Sequence, residues 1–458
     1  MVNTSYSTYC FRNQKNANNM RNLNIFLCEW KHFVRSPFKI VALFLFILAS
    51  IYGLQNGADL YEKQHLEINK VNQKVTDKKD EIVTYFEKGE KGPKNRPWID
   101  VATPFWAIYN TPTYHYKKAT PAIVYNIGQT EQYGFYKSID IYSSPYDADM
   151  AKEIANPERI QSGTLDFAFV VLFLLPLLLL VLLYNIKGQE AEQGFLPLVF
   201  VQTGSKNWWL VSRTAFYTIL LLLTLFGLLF YGAMLTPIFK TDSTLWQIFL
   251  WVAIYLIFWI LIYFLILKYG KNTVSNTLQM IGVWLLFAFI IPAAVQQWIS
   301  IEKPTNLMVD IIDTKRDKTD EIYDQTNELT DKQLFNLYPS LKQTEIAKDS
   351  VGIKNARRRS IRALINSAMK NAIAKIDQDN QSRNELISKT YWFNPLTYFQ
   401  NKFNHLSGTH YDDYQDYRND IQDLIDKRIE IMVLDIWNDV KVDKAKYLEY
   451  TTTLSNND

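Results

Sequence analysis

The chain has almost no cysteine. Of its 458 residues only Cys10 and Cys28 carry a thiol, both near the amino terminus. Neither long polar stretch contains one, so a disulfide framework or a Cys-rich metal site there is excluded. An excess of one charge sign is missing too. Lys and Arg total 49 against 46 Asp and Glu, a net +3, and the basic residues are scattered rather than gathered into a stripe. That balance argues against nucleic acid as a partner. Catalytic signatures are equally scarce. GEKGPK (89–94) lacks the spacing and flanking elements of a phosphate loop. No G-x-S-x-G elbow and no H-E-x-x-H helix occurs. Asp147-Ala-Asp149 is a lone acidic pair in a loop, and the apolar segments hold no paired ionisable residues placed for acid–base work. The expectation is a chain that is not an enzyme by itself.

What the sequence does have is long apolar runs. Four follow one another between Asp166 and Trp298, at 166–184, 208–233, 245–267 and 275–297. Each holds about twenty mostly apolar residues, enough for a helix to cross a roughly 30 Å hydrocarbon layer. Soluble helices keep one polar face, so four such runs in tandem indicate a polytopic membrane protein. IVALFLFILASIYGL (40–54) is shorter; its long polar leader and the lack of a cleavage site favour a first span over a signal peptide. The fold class expected is mainly α: about five spans and two large insertions, the first α+β and the second mostly helical.

In order, 1–38 is a polar amino-terminal segment. Its end can form an amphipathic helix with Leu23, Phe26, Leu27 and Trp30 on one face, or remain a disordered leader. Residues 39–54 form span 1 and 55–163 the first insertion. There Ile68, Val71, Val75, Ile82 and Phe86 recur at helical spacing, as if span 1 continued outward. Beyond Gly92, AIVYNI and YKSIDIY suggest short strands. Residues 164–298 carry spans 2–5. Pro176 bends span 2, with neighbouring helices satisfying the freed carbonyl. Arg213, near the start of span 3, suits interfacial snorkelling or a substrate-binding charge.

Residues 299–458 form the second insertion. In RRRSIRALINSAMKNAIAKI, Ile361, Leu364, Ile365, Ala368, Ala372, Ile373 and Ile376 trace an apolar face. Arg357–Arg359 reads as a solvated helix start or an anion-binding run. His405, His410, Asp412 and Asp413 suit either a cation or ordinary surface packing. The basic flanks of the amino terminus, of 185–207 and of 268–271 place those loops in the cytoplasm and both insertions outside.

Two stretches carry a resemblance. Residues 156–213 have a Gly-x-x-Asp lead-in (Gly163, Asp166), a Pro-Leu-Leu step (Pro176–Leu178) and an acidic loop (Glu190, Glu192, Gly194). Residues 393–418 have an Asn-Pro segment, then Gly-Thr and an aromatic–acidic helix. From about residue 95 onward the chain resembles ABC-2-type transporter permeases. The nearest branch is the one with large extracytoplasmic insertions, related to gliding-associated and nitrous-oxide-maturation-type permeases. The resemblance implies a permease subunit of the bacterial cytoplasmic membrane, pairing with a separate ATP-binding-cassette ATPase through a coupling loop (186–207) that carries Glu190, Glu192, Gly194, Phe195 and Leu196. It also implies a second permease subunit, homo- or heterodimeric, and no cofactor in this chain, since the ATPase binds the ATP. Phe195 departs from the Thr frequent after that glycine. Relatives have a sixth span after the second insertion, so the sequence is expected to stop short of one. A non-transporting membrane scaffold or sensor is the alternative.

Overall fold

The computed structural model describes residues 25–130, 133–149, 165–188, 190, 194, 196–198, 205–240, 243–270, 272–304 and 307–455. Helix α1 covers residues 25–34 and packs beside the bundle. After Ser36, helix α2 runs unbroken over 52 residues, Pro37–Lys88. At 1.5 Å per residue it is roughly 78 Å long, and about twenty residues cross the apolar layer, so the remainder projects beyond it. Pro37 suits its first turn because no intrahelical N–H is needed there. Gly89, in the left-handed region at φ 67°, ends it, with Glu90 N–H donating to the Tyr85 carbonyl at 2.9 Å.

Helix α3 is Pro104–Asn110, and strands β1 (Tyr114–Tyr116) and β2 (Tyr136–Ser138) pair antiparallel with His115 opposite Lys137. Among the described residues four helices are long and apolar enough to cross a membrane: α2, α5 (Lys206–Leu235), α6 (Thr244–Tyr269) and α7 (Thr273–Glu302). A shorter apolar helix, α4 (Phe167–Leu183), stands among them as the remaining expected segment. The second insertion is helical: α8 (Leu307–Tyr323), α9 (Asn327–Leu337), α10 (Gly352–Lys389), α11 (Pro395–Leu406), α12 (Tyr411–Trp437) and α13 (Lys444–Thr453). The chain is therefore a mainly α-helical polytopic membrane protein with a small β-hairpin insertion.

The apolar side chains form two cores. One fills the bundle, drawing on α2, α4, α5, α6 and α7, and it also takes Leu396, Phe399 and Phe403 from α11. The other unites both insertions: Ile82 from the projecting end of α2, Ala107 and Ile108 from α3, and Ile425, Ile429, Met432 and Trp437 from α12. The insertions are separate in the chain and joined in packing. Arg428, fully buried, locks them: it donates to Thr113 Oγ1 at 2.7 Å, to the Thr111 carbonyl at 2.8 Å and to the Ile108 carbonyl. Both carbonyls lie at the end of α3, and that of Ile108 also accepts from Thr111 N–H at 3.1 Å. Burial lowers the Arg428 pKa to about 10, and Asp140 works in the other direction.

Three expectations are corrected. AIVYNI is not a strand: Pro121–Val124 forms a 3-10 turn, and Ala122 through Ile127 are all buried. Burial on every side leaves no alternation for a half-exposed strand to express. The Arg357–Arg359 run is not simply solvated. Arg357 forks onto both oxygens of Asp331 and Arg359 lies over Phe105, leaving Arg358 exposed. Successive helical residues point about 100° apart, so three adjacent arginines meet three environments. On α10, Ala363 and Met369 join Leu364, Ile365 and Ile376 in the core, while Ile361, Ala368 and Ile373 are only half-buried. The face is rotated because α10 is flanked by α8 and α12 at once.

Span contacts are close where glycine permits. A Cβ at Gly57 would lie 2.5 Å from the Val124 carbonyl oxygen, and one at Gly53 would lie 2.6 Å from the Asp166 carbonyl carbon. Small residues four apart let backbones approach in this way. Gly57→Ala is therefore expected to lower the detergent melting temperature, at a cost of about 1–3 kcal/mol from overpacking. Gly227→Ala, where a Cβ meets nothing within 4 Å, should be neutral or slightly stabilising. Equal melting temperatures for the two variants would show that the contact at Gly57 is not tight.

Candidate functional site

The two ends of the bundle are built differently. At the end away from the insertions, α1 lies against α5, with Phe26 edge-on to Phe216 at 5.9 Å and Phe33 buried in the bundle core. Residues 25–34 do form a helix, and the face it turns to the bundle carries Phe26 and Phe33. Leu27 and Trp30 are exposed, and Leu23 lies outside the described residues. The inward face also buries Glu29, the only carboxylate before Asp59 in the sequence.

Glu29 faces Arg213. The Arg213 guanidinium pairs with Glu29 through Nε and with Glu190 through Nη1, the latter at 2.6 Å, and lies over the Trp209 ring at 4.8 Å. All three side chains are well covered, Glu190 remaining 23% exposed. Arg213 is the single charge between Lys206 and Lys240, and it does not snorkel. Two carboxylates around one guanidinium balance the charge of a cation that the apolar neighbours would otherwise exclude. Lys39, at the start of α2, spans the next gap: its ammonium donates to the Leu182 carbonyl and to the Tyr217 hydroxyl, each at 2.8 Å.

The loop after α4 is fastened at a second point. Lys187 is buried and donates to the Leu267 carbonyl and, at 3.3 Å, to that of Lys268. A cation at the last carbonyls of α6 is favoured by the helix dipole. Gly188 has no room for a side chain, since a Cβ would collide with Asn185 Oδ1 and Thr273 Oγ1. The loop is thus tied to α5 by Glu190, to α6 by Lys187 and to α1 through the shared arginine. Of the proposed loop residues, Glu190 takes part in this cluster, Gly194 is exposed at φ 74° and Leu196 is half-buried against the bundle core. Leu198 is 57% exposed beside them. Glu192 and Phe195 lie outside the described residues.

In the middle of the bundle Pro176 lies just past a π turn, Val170–Leu174. Proline lacks the N–H that would bond the carbonyl four residues back. That carbonyl, on Leu172, accepts instead from the Tyr255 hydroxyl of α6 at 2.6 Å, and Phe173 accepts from Trp284 Nε1 of α7 at 3.2 Å. Helix α7 repeats the device, with a π turn at Leu286–Ile290 just before Pro292.

At the insertion end, Asp166 caps α4. One carboxylate oxygen accepts from Phe169 N–H at 2.7 Å and the other from Ile127 N–H at 3.0 Å. Tyr125 donates its hydroxyl to the Leu229 carbonyl at 2.6 Å. Helix α11 seats there, its Phe399 ring 4.8 Å from Tyr255, touching α6 and both π turns. Asn126 donates to Asn404 Oδ1 at 2.8 Å, holding α11 to the first insertion. Below it lies a small apolar cavity of about 10 Å³ lined by Tyr125, Phe167, Val171, Ile248, Val252 and Phe403. The acidic pair is accounted for structurally: Asp147 pairs with Lys137 at 3.1 Å and Asp149 with Arg418 at 2.9 Å. Burial and Arg418 act oppositely on Asp149, burial dominating, so its carboxyl lies above the usual range.

A family model described as a domain of unknown function (DUF3526) matches residues 309–452, from within α8 to α13. No curated protein and no solved structure matches the chain.

The Arg213 cluster makes a specific demand on stability. Arg213→Leu leaves Glu29 and Glu190 facing each other without a cation and is expected to cost about 3–5 kcal/mol. Adding Glu29→Gln and Glu190→Gln to that variant should recover much of the loss, measured as resistance to unfolding in detergent. A triple variant no more stable than Arg213→Leu would mean that the ion pairs are incidental to packing.

Proposed function

We propose that this chain is the permease subunit of an ATP-binding-cassette transporter of the ABC-2 type, working as an exporter with a separate ATPase. The observation that carries this reading is the Arg213 cluster, in which one loop residue, Glu190, pairs with Arg213 of the span α5, the same guanidinium that pairs with Glu29 of α1. With Lys187 on α6, a push on the loop from outside the membrane reaches α1, α5 and α6 together. A motor subunit requires such a mechanical input. Gly194 and Leu198 stand exposed beside the anchored residues and supply a contact for it. The basic flanks orient this end toward the cytoplasm and the insertions outward. In this reading the chain binds no nucleotide, and a second permease subunit encloses the pathway with it. ATP binding shifts the permease between two packings by contacting them differently.

Support for a movable bundle comes from its middle. Two π turns followed by prolines interrupt α4 and α7 where α11 touches both, and π turns often accompany functional positions in helices. The cargo class suited to an aliphatic bundle with few buried charges is lipid-like or peptide-like.

The experiment is affinity purification of the tagged full-length chain in mild detergent, followed by mass spectrometry. A stoichiometric ATPase subunit is expected, lost on deletion of 188–200 while membrane insertion persists. In the reconstituted complex, Glu190→Lys with Glu192→Lys should uncouple ATP hydrolysis. An intact, inserted chain that brings down no ATPase would replace this reading with a membrane scaffold or sensor.

A further inference from the structure

Helices α11 and α12 meet at a tight turn whose backbone is fully engaged. Gly408 adopts φ 63°, its carbonyl accepts from Lys117, and the Ser407 carbonyl accepts from Thr120 at 2.6 Å. The turn carries two imidazoles, His405 from the last turn of α11 and His410 at the cap of α12, with ring centroids 3.6 Å apart. Asp412 completes the group, and one ligand atom from each of the three residues lies within 4.8 Å of the others.

We propose that His405, His410 and Asp412 form a binding site for a zinc-class divalent transition metal. The His410–Asp412 separation fits that chemistry. Zinc–nitrogen and zinc–oxygen bonds of about 2.0–2.1 Å place neighbouring tetrahedral ligands roughly 3.3 Å apart. His410 Nδ1 already stands 3.3 Å from Asp412 Oδ2. His405 is exposed and stacked on His410 with 20° between the ring planes, so it supplies the third donor by changing rotamer and turning out of the stack, which brings its in-plane lone pair to the ion. The donor set also discriminates between metals. Two imidazoles and one carboxylate suit zinc, nickel or copper, whereas calcium and magnesium require mostly oxygen ligands. Water fills the fourth position on the open side.

The local capping geometry supports this assignment. Ser, Thr, Asn and Asp are the favoured residues at a helix cap, and His410 is a poor one. Its Nδ1 accepts from Asp412 N–H at 3.3 Å, a long bond that ligation replaces with little loss, because Asp412 is exposed and its amide can pass to water. The stronger half of the cap is independent of the metal: Asp413 accepts from His410 N–H at 2.9 Å. Asp413 is therefore a structural residue and not a ligand, dividing the four polar side chains into three donors and one cap. A bound ion would stiffen the turn between α11, which sits in the bundle core, and α12, which sits in the core of the insertions.

The test uses the full-length protein in detergent, stripped with a chelator and titrated calorimetrically with Zn2+. Wild type is expected to take up one ion per chain at this site and to gain melting temperature on binding. His405→Gln with Asp412→Asn, and separately His410→Asn, which retains a capping side chain, should weaken that binding by roughly tenfold or more. Their metal-free melting temperatures should match wild type. Wild-type affinity and stoichiometry in both variants, or no Zn2+ uptake by the wild type, would overturn the assignment. Mg2+ should give no heat of binding under the same conditions.

Discussion

Hydrocarbon offers no hydrogen bonds, so every backbone group that leaves its helical ladder inside the bundle must find a protein partner. The spans are arranged around that constraint. Tyr255 and Trp284 cover the carbonyls of Leu172 and Phe173, freed by the π turn and Pro176. Tyr125 reaches the Leu229 carbonyl, and Lys39 takes that of Leu182 near the other end. The Tyr255, Trp284 and Lys39 contacts each join two spans, and Tyr125 joins the first insertion to α5. The bundle is consequently specified by a few polar fasteners set in a uniform apolar mass, which by itself would pack many ways.

Charge follows the same logic more severely. Arg213 is retained at a site where water is excluded because Glu29 and Glu190 are brought to it from two other elements. The three residues belong to α1, the loop after α4, and α5, so one ion cluster makes a platform from parts that the sequence keeps far apart. At the opposite end Asp166 caps α4 while accepting from the Ile127 N–H of the first insertion. The membrane bundle is thus tied at both ends by carboxylates, and the insertions rest on it through α11 and the continuous rod of α2.

Much of this was legible in the sequence. Long apolar runs, a helical repeat continuing through Ile68 and Ile82, and the helical second insertion are local patterns with a period, and the structure follows them. AIVYNI was misleading because total burial erases the alternation that identifies a strand. The partners of Arg213 were invisible for a different reason: Glu29 is 184 positions away, and no periodicity reports a pairing at that distance. A lone carboxylate in a basic leader was the available signal. Arg357 and Asp149 likewise looked solvated or unpaired until Asp331 and Arg418 were placed beside them. Local composition describes what a residue prefers, and the fold decides which neighbour supplies it.

The central claim is that the platform at Arg213 and the insertion body occupy opposite sides of the membrane, the platform facing the cytoplasm. Leu198 and Trp392 report on the two ends, being 57% and 86% exposed. In a Cys10→Ser and Cys28→Ser background, Leu198→Cys and Trp392→Cys would each be treated with a membrane-impermeant maleimide, in spheroplasts and in inverted vesicles. The account predicts that Trp392→Cys reacts in spheroplasts and Leu198→Cys only in inverted vesicles. Labelling of both from the same side, or the reverse pattern, would contradict it.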